Sequence, residues 1–261
     1  MKSTKTLLWA SSGACSGETM AILGAEGYGQ PGTALPSFLE NNQLQLLWHP
    51  SLSPEPPREF LRIIDRVEKG QQPLTFFCVE GSIINGPNNT GMMDTLDGIP
   101  KRDLIRRLCH HAAVVFAMGT CAGFGGIPAS PPNPSESSGL QFNLAQPGGL
   151  LGAEWRSLAG LPVINVSGCA VGAATMITTL QWVLNGRPLE LDRFNRPLSV
   201  TPCLSDHFDK KCQTSRKVGY RCYGCTTPRF PVNATLFHQE EVVSAEKPIN
   251  FADVRTFIDY F

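Results

Sequence analysis

Three predicted β-strands of this sequence end in one or two small residues followed by a cysteine, and this repetition constrains the fold more than any other feature. The three endings are Gly13-Ala14-Cys15, Gly119-Thr120-Cys121 and Gly168-Cys169. In a doubly wound parallel sheet the carboxyl ends of the strands meet at one edge, so the three thiols are expected to converge there. The sequence therefore predicts an α/β fold with a cysteine site at one edge of its sheet.

The order of apolar segments supports the same architecture. Strands are predicted at residues 5–9, 44–48, 74–79, 112–118 and 161–166, and helices at residues 19–24, 58–68, 101–111 and 170–184. A nearly unbroken apolar run such as LTFFCV is typical of a buried parallel strand. We assign residues 1–190 to a doubly wound α/β domain and residues 191–261, which lack regular periodicity, to a small irregular Cys-rich C-terminal region.

Composition and charge exclude several classes of partner. Lys plus Arg and Asp plus Glu each number 22, so no net field attracts the chain to nucleic acid or to an anionic membrane. No apolar run approaches the length of a membrane span, and the first predicted strand follows with no signal-peptide pattern and no Arg-Arg motif. We therefore expect a cytoplasmic protein, whose nine cysteines include metal ligands and are not paired in disulfides.

The first loop, within LLWASSGACSGETM, is predicted to hold a ligand. Small residues permit close approach, and a helix N-terminus favours negative charge. We therefore expect the N–H groups of Ser11, Ser12 and Gly13 to point at a phosphate or at an iron–sulfur cluster. Glu18 lies three residues after Cys15, where it is either a ligand or a solvated carboxylate in the first turn of a helix.

A second set of candidate ligands lies in the C-terminal region. A basic, turn-rich stretch contains Cys203, Cys212, Cys222 and Cys225. Four thiols with one C-x-x-C pair suit either an iron–sulfur cluster or a structural zinc ion, although zinc sites usually have two close pairs. The remaining two cysteines, Cys78 and Cys109, have apolar neighbours and are expected to be core residues.

Several long blocks together resemble the small subunit of nickel–iron hydrogenases, with the best match to the cytoplasmic uptake and hydrogen-sensing branch. The blocks are LLWASSGACSGETM, LLWHPSLS, FCVEGSIINGPNNTG, GTCAGFGGIPASPPNPSESSGLQF, PGGLLGAEWRSLAGLPVINVSGC and YRCYGCTTPRFP. The resemblance implies a flavodoxin-like domain followed by a Cys-rich region. It also implies the electron-transfer subunit of an oxidoreductase whose hydrogen chemistry takes place in a large Ni–Fe partner subunit, because the nickel site needs two C-x-x-C pairs and this chain has one.

The resemblance also implies a ligand set. Cys15, Cys121 and Cys169 match ligands of the proximal [4Fe–4S] cluster, and Glu18 stands where the family has the fourth cysteine. A carboxylate oxygen is able to ligate iron, so Glu18 is either the fourth ligand or an ordinary helix carboxylate. The C-terminal region is shorter than in the family and has no His-x-x-Cys pair. We expect one further [4Fe–4S] or [3Fe–4S] cluster on its four cysteines.

Other functions stay open from sequence. A hydrogen sensor that signals to a kinase has the same expected structure as a subunit that feeds a redox partner protein. An alternative from a different functional class is a flavodoxin-like protein that is not a hydrogenase subunit and that binds flavin in the first loop and zinc in the C-terminal region. Glu80, which directly follows the third predicted strand, is either part of a proton path or a carboxylate that binds nearby N–H groups, and we expect the second role.

Overall fold

Five parallel strands form the central sheet in the computed structural model, which describes residues 4–25, 32 and 34–198. In chain order the strands are β1 (Thr6–Ser11), β2 (Gln45–Trp48), β3 (Leu74–Glu80), β4 (Thr95–Leu96), β5 (Ile99–Pro100), β6 (Ala112–Met118), β7 (Phe142–Asn143), β8 (Gln146–Pro147) and β9 (Ile164–Val166). The helices are α1 (Gly17–Gly24), α2 (Leu35–Asn41), α3 (Pro57–Glu68), α4 (Lys101–His111), α5 (Gly119–Phe124) and α6 (Ala173–Leu184).

The strand order in the central sheet is β2-β1-β3-β6-β9, and all four neighbouring pairs are parallel. This is the flavodoxin-like order, in which the chain reverses direction across the sheet between β1 and β3. Strands β4 with β5 and β7 with β8 form two short antiparallel hairpins outside the sheet. The predicted α/β fold with a flavodoxin-like doubly wound sheet is therefore confirmed.

Helices cover both faces of the sheet. Side chains of α1, α2 and α6 pack with Leu7 and Trp9 on one face, and side chains of α3 and α4 pack with Leu8 and Ala10 on the other. Every residue of the central strands β3 and β6 is buried. The apolar face of α3, predicted from the spacing of its hydrophobic residues, is formed by Phe60, Ile63, Ile64 and Val67.

Some predicted boundaries were wrong. The fifth sheet strand begins at Ile164 and the helix after it at Ala173, because the residues before each form loops. Helices α2 and α5 were not predicted. The division at residue 190 stays a prediction, since residues 199–261 lie outside the described part. Among the described residues, no helix combines the length and the apolar character that crossing a membrane requires.

Candidate functional site

Three cysteines lie at the carboxyl edge of the sheet, as the strand endings predicted. Cys15 follows β1 and precedes α1, Cys121 lies in the first turn of α5 after β6, and Cys169 follows β9. The thiol of Cys15 is exposed, whereas Cys121 and Cys169 are partly buried. The loops after these strands contact one another, since a Cβ atom at Gly17 would lie 3.0 Å from that of Ala170 and one at Gly119 would overlap the Glu18 carboxylate. The three loops thus line one crevice at the edge where ligands of doubly wound folds bind.

The pKa values of the Cys121 and Cys169 thiols both respond to the nearby Glu18 carboxyl group. The pKa of Cys121 is raised to about 12, chiefly by burial, with smaller contributions from nearby Cys169, Glu18 and Cys15 and an opposing one from the Ile127 N–H. Burial also raises the pKa of Cys169, to which Glu18 and Cys15 again contribute. None of the groups that act on these two pKa values is a cation. A bound metal centre supplies the positive charge that allows such thiols to ionise.

Glu18 is a buried carboxyl group in the first turn of α1, with 7% of its surface exposed. Its pKa is raised to about 7, chiefly by burial and further by the proximity of Glu80, although its own N–H and that of Val171 partly oppose the shift. The side chain lies against Gly119, where a Cβ atom would overlap the carboxylate. Glu18 therefore points into the crevice and is not a solvated helix carboxylate.

Glycines let the backbone approach the thiols closely. A Cβ atom at Gly126, which has φ +55°, would overlap the Sγ of Cys121. At Gly17, a Cβ atom would lie 3.3 Å from the Sγ of Cys15 and 3.0 Å from the Cβ of Ala170. This close approach lets main-chain N–H groups hydrogen-bond ligand sulfur atoms, as the Ile127 N–H does at Cys121. Such hydrogen bonds tune the reduction potential of iron–sulfur clusters.

The side chains at this sheet edge are of the kinds that iron–sulfur clusters bind. Within residues 4–25 and 34–198, no three His, Cys, Asp or Glu side chains lie close enough together to hold one ion. A cubane cluster binds each ligand through a different iron atom, so it needs ligands that are farther apart than those of one ion. Three thiols and one carboxyl group around a glycine-lined crevice fit a [4Fe–4S] cluster as donors.

The N–H groups of the first loop are not available to a phosphate, which corrects the expectation for Ser12 and Gly13. The Ser12 N–H donates to the Glu80 carbonyl at 3.1 Å, and the Gly13 N–H donates to the Ser82 carbonyl at 2.8 Å. Ser11 belongs to β1, where it is paired with Glu80. Because backbone bonds between two strand ends use these groups, the loop does not form the phosphate cradle that a flavin site needs.

Glu80 binds N–H groups, as expected. Its carboxylate accepts hydrogen bonds from the Trp9 indole at 3.1 Å, from the Thr19 N–H at 3.2 Å and from the Thr19 hydroxyl. His49 is fully buried nearby, and its ring lies 5.5 Å from that of Trp9. Sequence reasoning did not find Thr19, His49 or the glycines of the crevice, because no local pattern distinguishes them from core or turn residues.

The other cysteines divide into two groups. Cys78 in β3 and Cys109 in α4 are completely buried, which confirms that they are core residues. The second predicted ligand set lies outside the described residues and stays a prediction; it comprises Cys203, Cys212, Cys222 and Cys225.

Comparison with known proteins gives consistent results. The family described as "NADH ubiquinone oxidoreductase, 20 Kd subunit" matches residues 15–183. The "Periplasmic [NiFe] hydrogenase small subunit 1" of Nitratidesulfovibrio vulgaris (Hildenborough) is 33% identical over 128 residues, which are 48% of this chain and 36% of that protein. The "Hydrogenase-2 small chain" of Escherichia coli K12 is 32% identical over 130 residues, which are 49% of this chain and 30% of that protein. The chain thus spans about a third of the length of these curated relatives.

Solved structures show the same likeness. A chain of the actinobacterial-type NiFe-hydrogenase from Ralstonia eutropha H16 superimposes with a TM-score of 0.60 at 28% identity, covering 74% of this chain and 58% of that one. A chain of the Ni-Fe-Se hydrogenase from Desulfomicrobium baculatum superimposes with a TM-score of 0.59 at 25% identity, covering 76% and 70%. The family match begins at Cys15 and runs through the loops of all three sheet-edge cysteines, and on that match this chain belongs to the NADH ubiquinone oxidoreductase 20 Kd subunit family.

Proposed function

We propose that this chain is the electron-transfer small subunit of a [NiFe] hydrogenase, passing electrons between the hydrogen site of a large subunit and an external redox partner. The convergence of the Cys15, Cys121 and Cys169 thiols on one crevice carries the proposal: their loops are in contact through Gly17 and Ala170 and through Glu18 and Gly119. Relatives named as hydrogenase small subunits support it. A [4Fe–4S] cluster, when bound there, supplies one-electron chemistry.

The residues of this chain hold the cluster and set its surroundings. The three thiolates bind iron, and the partial burial of Cys121 and Cys169 lowers the local dielectric constant. The Ile127 N–H acts on the sulfur of Cys121 and favours its charged form. Hydrogen bonds to ligand sulfur atoms and burial are two of the means by which a protein adjusts the potential of such a cluster.

Glu18 is proposed as the fourth ligand. Its carboxyl group is buried, faces the crevice and has a pKa raised to about 7 by burial, so a proton competes with iron for the carboxylate near neutral pH. A carboxylate is a harder ligand than a thiolate, and iron bound through it is expected to be lost more readily. The proximal site then has three soft ligands and one hard ligand.

The proposed partners follow from the same site. Hydrogen chemistry belongs to the large Ni–Fe subunit of a heterodimer, which the relatives named as small subunits of hydrogenases support. A sensor kinase in place of the redox partner is the alternative within this class. A second [4Fe–4S] or [3Fe–4S] cluster on the four C-terminal cysteines and a cytoplasmic location stay predictions.

Iron and sulfide content of the anaerobically purified chain, co-expressed with its large subunit, tests the function. We expect about eight iron and eight sulfide per chain for two [4Fe–4S] clusters, or about seven iron when the second is [3Fe–4S], and a reduced-state electron paramagnetic resonance signal. Cys15→Ala, Cys121→Ala and Cys169→Ala should each remove about four iron. The matched control is Cys78→Ala, which deletes a thiol from the core and should leave the iron content unchanged. A colourless, iron-free wild-type chain would refute the proposal.

Two further variants test Glu18. Glu18→Cys completes a set of four thiolates, so the visible absorbance of the cluster should decay more slowly in air than in the wild type. Glu18→Gln removes the anionic ligand while keeping the size of the side chain, and decay should be faster. Equal decay rates for Glu18→Gln and the wild type would show that Glu18 is not a ligand.

A further inference from the structure

The Glu80 carboxylate is a buried acceptor at the point where three elements meet. It is 1% exposed and lies at the last position of β3. Its donors are the Trp9 indole of β1, at 3.1 Å, and both the backbone N–H and the hydroxyl of Thr19 in α1. One side chain therefore links β3 to β1 and to the first helix.

Helix α1 has no capping side chain of its own. Its N-cap residue, Ser16, has a left-handed backbone conformation with φ 61°, and its side chain makes no capping hydrogen bond. Thr19 is the third residue of the helix, whose N–H a capping side chain normally binds. Glu80 accepts this hydrogen bond at 3.2 Å from 61 residues away in sequence. A negative charge at a helix N-terminus is favourable, so a carboxylate suits the position.

The loop before the helix is fixed to the same strand end. The Glu80 carbonyl accepts the Ser12 N–H at 3.1 Å, and Gly13 and Ser82 exchange two backbone hydrogen bonds of 2.8 and 3.1 Å. These bonds hold residues 12–13 on one side of Cys15, and the Glu80 carboxylate holds Thr19 on the other. The short segment that contains Cys15 and Glu18 is thus anchored at both ends by residues 80–82.

We propose that Glu80 is a positioning residue for the cluster site, whose carboxylate caps α1 from across the sheet and thereby places Cys15 and Glu18 opposite Cys121 and Cys169. This inference rests on the proposed function as far as the cluster is concerned. The cap itself is a property of the polypeptide and is measurable without iron.

Amide hydrogen exchange in α1 of the full-length chain, before and after anaerobic reconstitution with iron and sulfide, tests the inference. Glu80→Met keeps the length of the side chain and removes every acceptor, whereas Glu80→Gln keeps one oxygen for the Thr19 N–H. Thr19→Val removes only the hydroxyl donor. The control is Glu68→Gln, which breaks a bidentate ion pair to Arg107, with both distances 2.7 Å, between α3 and α4.

We expect E80M to speed amide exchange in residues 19–24 by about fivefold, as for the loss of a typical cap, with smaller effects of E80Q and T19V and none of E68Q. In the reconstituted chain, E80M should also shift the resonance spectrum and the reduction potential of the cluster. Unchanged exchange in E80M, or equal effects of E80M and E80Q, would overturn the inference. An iron-free wild type with faster exchange in E80M would refute the proposed function and leave the cap established.

Discussion

His49 is a fully buried histidine that the fold keeps uncharged. Its Nδ1 accepts a hydrogen bond from the Ser51 N–H at 3.0 Å, so the proton of the neutral ring is on Nε2. Within the described residues, Nε2 has no hydrogen-bond partner. Burial lowers the pKa of His49 to about 4, and the charge of Glu80 opposes this shift only in part. The neutral ring packs against Trp9, a donor to Glu80.

A pH dependence of stability follows from His49. As the pH falls from 6.5 to about 4, the unfolded chain binds a proton at His49 and the folded chain does not, so folding free energy is lost. The loss is at most ~3 kcal/mol, at ~1.4 kcal/mol per pKa unit. We expect the stability difference between the wild type and His49→Gln to shrink by up to this amount. Urea denaturation of both iron-free chains, in steps from about pH 7 to about pH 4, measures it.

The comparison removes the opposing effect of Glu18. The pKa of Glu18 is raised to about 7, so its contribution to stability declines as the pH rises through the same range. This contribution is present in both chains and cancels in the difference between them. A difference that does not change with pH would show that His49 is accessible to protons in the folded state.

At the scale of elements, the ends of β1 and β3 lie in unusually close contact. Gly81, with φ +86°, packs so tightly that a Cβ atom would lie 2.7 Å from the backbone nitrogen of Ala14. Gly70, at the end of α3, has a similar φ of +67° but no atom within 4 Å of the corresponding position. The two glycines share the conformational requirement and differ in packing.

Alanine substitutions separate these two effects. Gly70→Ala should cost about 1–2 kcal/mol of unfolding free energy, the strain of a side chain in the left-handed region. Gly81→Ala should cost about 1–3 kcal/mol more, because the added methyl group must push Ala14, and with it the loop that contains Cys15, away from β3. Chemical denaturation of the two variants gives both values. Equal losses would mean that the contact between the strand ends is easily relaxed.

Elements with a strong local pattern were predictable from sequence, and elements held by tertiary contacts were not. The apolar runs of β3 and β6 and the amphipathic spacing of α3 identify them directly. Helix α5 contains two glycines in GTCAGF, which disfavour a helix, yet hydrogen bonds between Thr120 and the backbone of Gly168 hold its first turn beside β9. Helix α2 was missed because it begins at Leu35-Pro36 after a stretch that is rich in glycine and proline.

The candidate site shows the same division. Cys15, Cys121 and Cys169 were predictable because each follows a strand, and strand endings meet at one edge in this topology. The hydrogen bond by which Glu80 caps the helix at Thr19 was not predictable, because no sequence pattern relates residues 61 positions apart. The bonds of Ser12 and Gly13 to residues 80–82 were missed for the same reason.

At the scale of the whole molecule, the described residues contain one candidate cluster site, and the second predicted site lies beyond them. Replacing the four C-terminal cysteines by serine in the full-length chain should therefore lower the iron content from about eight to about four per chain. The remaining cluster should keep its resonance signal, because its ligands belong to the α/β domain. Loss of all iron would show that the two sites assemble together, and an unchanged content would show that the tail binds none.

The burial of Cys78 and Cys109 has a consequence for damage by oxygen. Burial raises the pKa of both thiols, and oxidants attack the thiolate form. Of the five cysteines in the described part, these two are also completely buried, so solvent-borne oxidants are expected to act on the three at the sheet edge, which solvent reaches. We therefore expect a chain whose cluster has been destroyed in air to keep both core thiols unmodified. Reduction of the sheet-edge thiols, while their oxidation is still reversible, should then restore a fold ready to receive new iron and sulfide.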